Sequence, residues 1–253
     1  MQIARVATNA HDSVFARLEK DVARFFTKAP WDSGTLSGES CPRSEVRLLA
    51  PVVPSKVLCI GRNYAAHAKE LGNEIPKEPL LFLKPPSSVI GPDETIVLPP
   101  ESQRIDHEAE LGVVIAKKCK AVSIDRANDV IFGFTNVCDV SARDLQKSDG
   151  QWSRAKGFDT FCPVGPWIET ELDPKNVRVQ CRVNGVTKQD GNTSNMIFPV
   201  AELIAYVSKM MTLEAGDLLV TGTPEGVGPI VHGDTVEIEI EKIGTLTCSV
   251  VRS

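Results

Sequence analysis

Asp106-His107-Glu108-Ala109-Glu110-Leu111-Gly112-Val113-Val114-Ile115 is the stretch on which the reading of this chain turns. It alternates as a strand does, and successive strand side chains point to opposite faces. Glu108 and Glu110 therefore share one face, while Leu111, Val113 and Ile115 share the other. Two carboxylates this close repel unless a cation or a proton lies between them. A second apolar run, Val130-Ile131-Phe132-Gly133-Phe134-Thr135-Asn136-Val137-Cys138, ends at Asp139. If the two strands are neighbours, Asp139 closes a three-oxygen site. Hard oxygen donors suit Mg2+, Mn2+ or Ca2+ and do not suit a zinc thiolate centre.

Outward from this stretch, strand patterns predominate. Val57-Leu58-Cys59-Ile60 is a short apolar strand ending at Gly61. Val177, Val179, Cys181 and Val183 alternate with polar residues, and Asn184-Gly185 supplies a hairpin turn. Val236, Ile238 and Ile240 alternate with Glu237, Glu239 and Glu241, then Ile243-Gly244 turns into Leu246, Cys248 and Val250. This second acidic set has no third partner and reads as a solvated sheet face. Helices are expected over Asp12–Phe26, Ala65–Leu71, about Arg126–Phe132, Ser141–Lys147 and Val200–Met211, the last with Leu203, Ile204 and Val207 at core spacing. The fold class is α+β, predominantly β. The first residues differ in character, with a Gly/Ser/Pro-bearing segment from Pro30 to Pro42. Residues 1–54 read as a small accessory module and 55–253 as the domain that carries the chemistry.

With 253 residues the chain can bury a substantial core. Its net charge of −5 and pI near 5.5 argue against a nucleic-acid backbone or an anionic membrane as partner. No secretory signal and no membrane-spanning run is visible, so a cytoplasmic location is expected. The seven cysteines are scattered and form no C-x-x-C, which speaks against a disulfide framework or a zinc ribbon.

Polar clusters flank the acidic stretch. Ser141-Ala142-Arg143-Asp144 resembles a capping box with Ser141 as N-cap, and Arg143 and Gln146 fall on one helical face. An Arg at a helix start beside a cation can receive a substrate carboxylate. In Gly61-Arg62-Asn63-Tyr64-Ala65-Ala66-His67-Ala68-Lys69-Glu70-Leu71-Gly72, Asn63 is the expected N-cap and Gly72 the C′ residue. His67 and Glu70 are three apart, so the carboxylate can hold the imidazole in one tautomer and make a general base. His107 is expected in a supporting position, because alternation turns it away from Glu108. Thr221-Gly222-Thr223-Pro224-Glu225-Gly226-Val227-Gly228-Pro229 lacks the ending of a phosphate-binding loop, yet its amides can wall a substrate.

Taken in order, these motifs resemble the fumarylacetoacetate hydrolase family, especially its acylpyruvate hydrolase and oxaloacetate decarboxylase branch. The resemblance covers about residues 55–253 and includes Phe82-Leu83-Lys84-Pro85 and Ala155-Lys156-x-Phe158-Asp159. It implies rolled mixed β-sheets of the fumarylacetoacetase C-terminal type with few short helices, a homodimer, and Mg2+ or Mn2+. By family motif, Glu108, Glu110 and Asp139 are the metal ligands. His67, Glu70 and Lys156 are the catalytic groups, with His67 and Glu70 on a lid helix. Arg62, Tyr64, Lys84, Arg143, Gln146 and Thr223 contact substrate.

The residue types suit a 2-oxo acid, whose carboxylate and carbonyl oxygens can chelate one hard cation while an enolate forms. The expected reaction is metal-dependent C–C cleavage of a small 2-oxo or 1,3-dicarbonyl acid, by acylpyruvate-type hydrolysis or oxaloacetate-type decarboxylation. Isomerisation or decarboxylation of 2-oxo dicarboxylates from aromatic catabolism is the enzymatic alternative. A β protein merely stabilised by an ion is the non-enzymatic one.

Overall fold

Strands carry the architecture, as their periodicity requires. A computed structural model describes residues 1–253 and contains sheets of twelve, five and three strands, with four short α-helices. The main path of the large sheet runs Leu36–Pro42, Val22–Phe26, Val14–Leu18, Gln2–Ala7, Cys162–Glu169, Ile131–Cys138, Ala109–Ile115, Leu218–Val220, Val57–Gly61 and Leu80–Lys84. Most pairs are antiparallel, but Leu218–Val220 lies parallel to Val57–Gly61. The five-stranded sheet is ordered Val186–Asn192, Arg178–Val183, Thr235–Ile240, Gly244–Arg252 and Thr95–Leu98. The helices are α1 (Ala65–Glu70), α2 (Arg143–Asp149), α3 (Ser153–Lys156) and α4 (Val200–Met210). None is long and apolar enough to cross a membrane.

The central strand Ala109–Ile115 is buried throughout. Leu111, Val113 and Ile115 join a core of 37 buried residues that takes in the inner face of the five-stranded sheet and Leu203, Ile204 and Val207 of α4. Val114, of opposite parity, joins Val57, Cys59, Val164 and Leu218 in a second cluster. The large sheet is thus packed on both faces where the acidic stretch lies, which fixes its register tightly. The predicted turn at Asn184-Gly185 has both residues left-handed, at φ 52° and 74°, as a two-residue hairpin needs. On the outer face Glu237 and Glu239 pair with Arg182 at 3.2 and 2.7 Å.

Four local expectations are corrected. Asp12–Phe26 is a β-hairpin, Val14–Leu18 with Val22–Phe26, and not a helix. Ala16, Leu18, Ala23 and Phe25 are buried at period two, Glu19-Lys20-Asp21 form the turn, and Gln2–Ala7 offers a pairing edge. Near Arg126, a 3-10 turn spans Ile124–Val130 and the strand already claims Ile131 and Phe132. Ser141 is no N-cap: it pairs with Asp106 in a two-residue strand, and α2 begins at Arg143. Asp144 instead accepts from Ser102 Oγ (2.6 Å) and the Gln103 amide (2.8 Å). Asn63 likewise caps nothing, for the N-cap of α1 is Tyr64, without a side-chain bond. Leu71 closes α1 and Gly72 follows in the left-handed region, as predicted.

The N-terminal strands extend the large sheet, since Gln2–Ala7 pairs with Cys162–Glu169. Trp31 packs edge-on against Phe132 at 5.1 Å, and its indole lies where a Cβ on Gly216 would stand, 2.8 Å from Nε1.

Candidate active site

The acidic stretch is two strands rather than one. Ile105–His107 belongs to the three-stranded sheet and Ala109–Ile115 to the large one, so Glu108 sits where the chain passes between them. Pairing of Ala109 with Cys138 sets Asp139 beside this point, and the Asp139 amide donates to Glu108 O at 2.9 Å. The carboxylates of Glu108, Glu110 and Asp139 are all buried, with candidate ligand oxygens within 4.8 Å of one another.

Two buried lysines and the partly buried Arg143 hold two of these carboxylates. Lys156 Nζ donates to Glu108 Oε2 and Asp139 Oδ2, both at 2.7 Å. Lys84 Nζ donates to Asp139 Oδ1 at 2.6 Å and to Val140 O at 3.2 Å. Arg143 grips Glu108 through Nη2 and Asp106 through Nε (2.9 Å), and its Nη1 donates to Gln146 Oε1 at 2.9 Å. Burial alone would raise the Glu108 carboxyl, but Arg143 and Lys156 hold it well below the usual carboxylate range. Burial likewise works against the Lys156 ammonium, and Asp139 and Glu108 overcome it, so Lys156 stays charged.

Glu110 differs. It has no ion-pair partner and accepts from the Gly222 amide. Burial, then Asp139 and Glu108, push its carboxyl well above the usual range. A buried carboxylate left short of positive charge, facing two others across a few ångströms, fits a divalent cation of the oxygen-seeking kind.

Gln189, which the sequence did not single out, braces this arrangement. Its Oε1 accepts from the Ala109 amide (2.9 Å) and His107 Nδ1 (3.1 Å), and its Nε2 donates to Thr223 Oγ1 (2.7 Å) and Pro224 O (2.8 Å). Every polar position of the amide is used, and it joins the Glu108 crossing to the loop that touches Glu110. His107 is thereby structural, as expected. Burial lowers its pKa, so it is neutral with the proton on Nδ1.

The carboxylates open onto a cavity of about 470 Å3, lined also by Arg62, His67, Gln146, Trp152 and Thr223. His67 Nδ1 donates to Glu70 Oε2 at 3.3 Å, and Glu70 Oε1 accepts from the Gly226 amide at 3.0 Å, which ties α1 to the loop after Leu218–Val220. Thr223 Oγ1 donates to Ala109 O at 2.8 Å. Asn63 locks the approach to α1: its Nδ2 donates to Thr221 O (2.7 Å) and Phe198 O (3.0 Å), and its Oδ1 accepts from the Phe198 amide (2.8 Å).

Most of the residues singled out in the sequence meet here, but Glu70, Lys84 and Tyr64 lie off the cavity wall, Glu70 reaching it only through His67. Lys84 is fully buried behind Asp139, and its ammonium donates to that carboxylate and to the Val140 carbonyl, so it steadies Asp139. Tyr64 is buried with its hydroxyl unpartnered and does not line the cavity. Asp106, Gln189, Asn63 and Trp152 were missed. Their importance comes from partners far away in sequence, and only Asp106, inside the acidic stretch, carried a local signal. No cysteine lines the cavity, and burial pushes the Cys138 and Cys162 thiols up to about 12, so neither is a nucleophile.

Residues 56–251 match the family model described as fumarylacetoacetate (FAA) hydrolase C-terminal, and residues 1–51 match one described as Rv2993c-like, N-terminal. The chain is 48% identical over 263 residues to Protein Rv2993c of Mycobacterium tuberculosis, covering 100% of this chain and 98% of that protein. It is 48% identical over 223 residues to the human mitochondrial oxaloacetate tautomerase FAHD2A, covering 83% of this chain and 71% of the relative. The solved structure of 2-hydroxyhepta-2,4-diene-1,7-dioate isomerase from Mycobacterium marinum superposes with a TM-score of 0.93 at 46% identity, over 100% of this chain and 99% of that one. The family match takes in nearly everything beyond the N-terminal strands, and the protein belongs to the fumarylacetoacetate hydrolase family of enzymes.

Proposed function

We propose that this enzyme moves a proton on the carbon beside the carbonyl of a small 2-oxo acid, interconverting enol and keto forms or shifting the adjacent double bond. The observation that carries this reading is His67, held by Glu70 and lining the same cavity as the three buried carboxylates. Similarity to an oxaloacetate tautomerase and to a dienedioate isomerase supports proton transfer over C–C cleavage, which the sequence alone put first.

Glu108, Glu110 and Asp139 would hold one Mg2+ or Mn2+ (the same oxygens also accept Ca2+), which when bound supplies Lewis acidity to the carbonyl and carboxylate oxygens of the substrate. Glu70 fixes the His67 tautomer and leaves Nε2 as the nitrogen that takes and returns the proton. Lys156 donates two N–H bonds to carboxylates and keeps a third for a substrate oxygen on which negative charge develops. Arg143 and Gln146, already joined to each other, line the wall where a substrate carboxylate would be oriented. Hydrolysis is the second reading, favoured by the 34% exposure of the Glu70 side chain, which lets water reach the pair. His67 would then take its proton from that water. Decarboxylation would need no such base.

All cavity-lining residues fall between Ile60 and Thr223, which supports 55–253 as the part carrying the chemistry and 1–54 as an accessory module. The homodimer implied by family resemblance belongs to the same proposal, and a single-chain mass by light scattering would remove it. To test the reaction, Mg2+-loaded enzyme is given enol-oxaloacetate, keto-oxaloacetate and acetylpyruvate in parallel. Ketonisation, CO2 release and pyruvate release are followed separately. Ketonisation should be fastest. Predominant pyruvate release from acetylpyruvate would instead favour hydrolysis, and no turnover with metal bound would favour the purely structural ion.

A further inference from the structure

The loop Thr221–Gly228 runs beside the acidic stretch and is pinned to it almost residue by residue. The Thr221 amide and hydroxyl donate to Leu111 O at 3.1 and 3.0 Å, the Gly222 amide donates to Glu110, and Thr223 Oγ1 donates to Ala109 O at 2.8 Å. Gly228 pairs with His107. At Gly226 the track turns outward, and its amide donates to Glu70 Oε1 at 3.0 Å, on the helix that carries His67. We propose that Gly226 is a positioning residue of the proton transfer, which sets His67 against the three carboxylates by holding Glu70. This rests on the reading of His67 as the base and adds the group that aims it.

The two oxygens of Glu70 are divided between two donors, Oε2 to His67 Nδ1 at 3.3 Å and Oε1 to the Gly226 amide. The Glu70 side chain is 34% exposed, so packing restrains it little, and a second bond is what keeps its carboxylate from swinging into water. The Gly226 amide can supply that bond because the loop is backed by the strand Val186–Asn192. Gly226 stands at φ 92°, and a Cβ there would lie 2.1 Å from Lys188 O. Gln189 donates to Thr223 Oγ1 and Pro224 O, and Gly191 leaves room for Pro224, whose Cβ lies 2.4 Å from where its own would stand. One braced loop therefore holds Glu110 by the Gly222 amide and Glu70 by the Gly226 amide. The placement of the base relative to the carboxylates is then fixed by backbone, and not by the six-residue helix α1 alone.

The test reads the His67 ring by nitrogen-15 NMR in the Mg2+-loaded enzyme, with kcat for proton transfer measured alongside. The wild type should show one tautomer, with the proton on Nδ1. Gly226→Ala should mix the tautomers and lower kcat about 10- to 100-fold, the cost of a misaimed group, while Mg2+ affinity is kept. Because Gly226 acts through Glu70, the same substitution should add nothing in a Glu70→Ala background. Mixed tautomers in the wild type, a single tautomer retained in Gly226→Ala, or a full further loss of kcat on top of Glu70→Ala would overturn the proposal. If Gly226→Ala does not fold, amide hydrogen exchange decides. Protection of the Gly226 amide that is lost in Glu70→Ala would support the proposal, and an amide unprotected in the wild type or equally protected in Glu70→Ala would overturn it. Tautomer and exchange are read without turnover, so an enzyme that moves no proton would count against the proposed reaction and not against the role of Gly226.

Discussion

Glu110→Gln separates what this carboxylate does to the fold from what it does for a cation. Glu110 is 2% exposed, faces Glu108 and Asp139, and accepts from the Gly222 amide. Glutamine has the same shape, keeps an oxygen for that amide, and turns its NH2 toward carboxylates that can accept it. An uncompensated buried charge costs about 3–5 kcal/mol when a partner is removed outright. Glu110 escapes part of this by taking a proton, so in metal-free protein the variant should gain about 1–3 kcal/mol. At about 2–4 °C per kcal/mol for a chain of this size, Tm should rise by roughly 5 °C. The folded-state carboxyl is raised above its unfolded value by burial and then by Asp139 and Glu108. A group raised in this way contributes its full stability below the ordinary carboxylate range and loses it as pH climbs. The advantage of glutamine should therefore widen from mildly acid to neutral pH. Mg2+ at about a hundred times its Kd should stabilise the wild type by about 2.7 kcal/mol and the variant by far less. Calorimetric melts in EDTA and in Mg2+ measure both effects. A variant less stable than wild type in EDTA, or one that still responds fully to Mg2+, would refute the reasoning.

His67→Ala should leave Mg2+ affinity intact and slow proton transfer by about 10²–10⁴-fold, and unchanged turnover would remove its role as base. Gln189→Glu loses both donor bonds, to Thr223 and Pro224, and should weaken Mg2+ binding about 10- to 100-fold by calorimetry while the protein stays folded. Lys84→Met takes a buried ammonium from Asp139 and should lower stability by about 3 kcal/mol in chemical denaturation, with Mg2+ affinity not weakened. An unaltered denaturation midpoint would contradict that placement of Lys84.

Local periodicity made much of the fold legible. Arg178–Val183, Thr235–Ile240 and α4 appear where alternation or the apolar stripe put them, and the Glu108, Glu110 and Asp139 carboxylates cluster as the two neighbouring strands require. What failed depended on distant partners. Val14–Leu18 becomes a strand beside Gln2–Ala7 and Val22–Phe26 one beside Leu36–Pro42, and both partners lie outside the Asp12–Phe26 stretch itself. Gln189 sits on a hairpin strand whose neighbours Thr187 and Lys188 are exposed, and its four bonds reach 34 to 82 residues away or span comparable gaps. Asn63 looked like a helix cap because caps are local, whereas its partners lie at Phe198 and Thr221. Lys84 carries no local sign of its partner, since its buried ammonium meets Asp139 from 55 residues away.

Solvent-deuterium exchange at carbon 3 of oxaloacetate, followed by NMR with Mg2+ and with EDTA, bears most directly on the proposed chemistry. Wild-type enzyme with Mg2+ should accelerate exchange over the uncatalysed rate, and both EDTA and His67→Ala should abolish the acceleration. Acceleration that survives EDTA, or none at all from folded enzyme with metal bound, would contradict a metal-assisted proton transfer at this site.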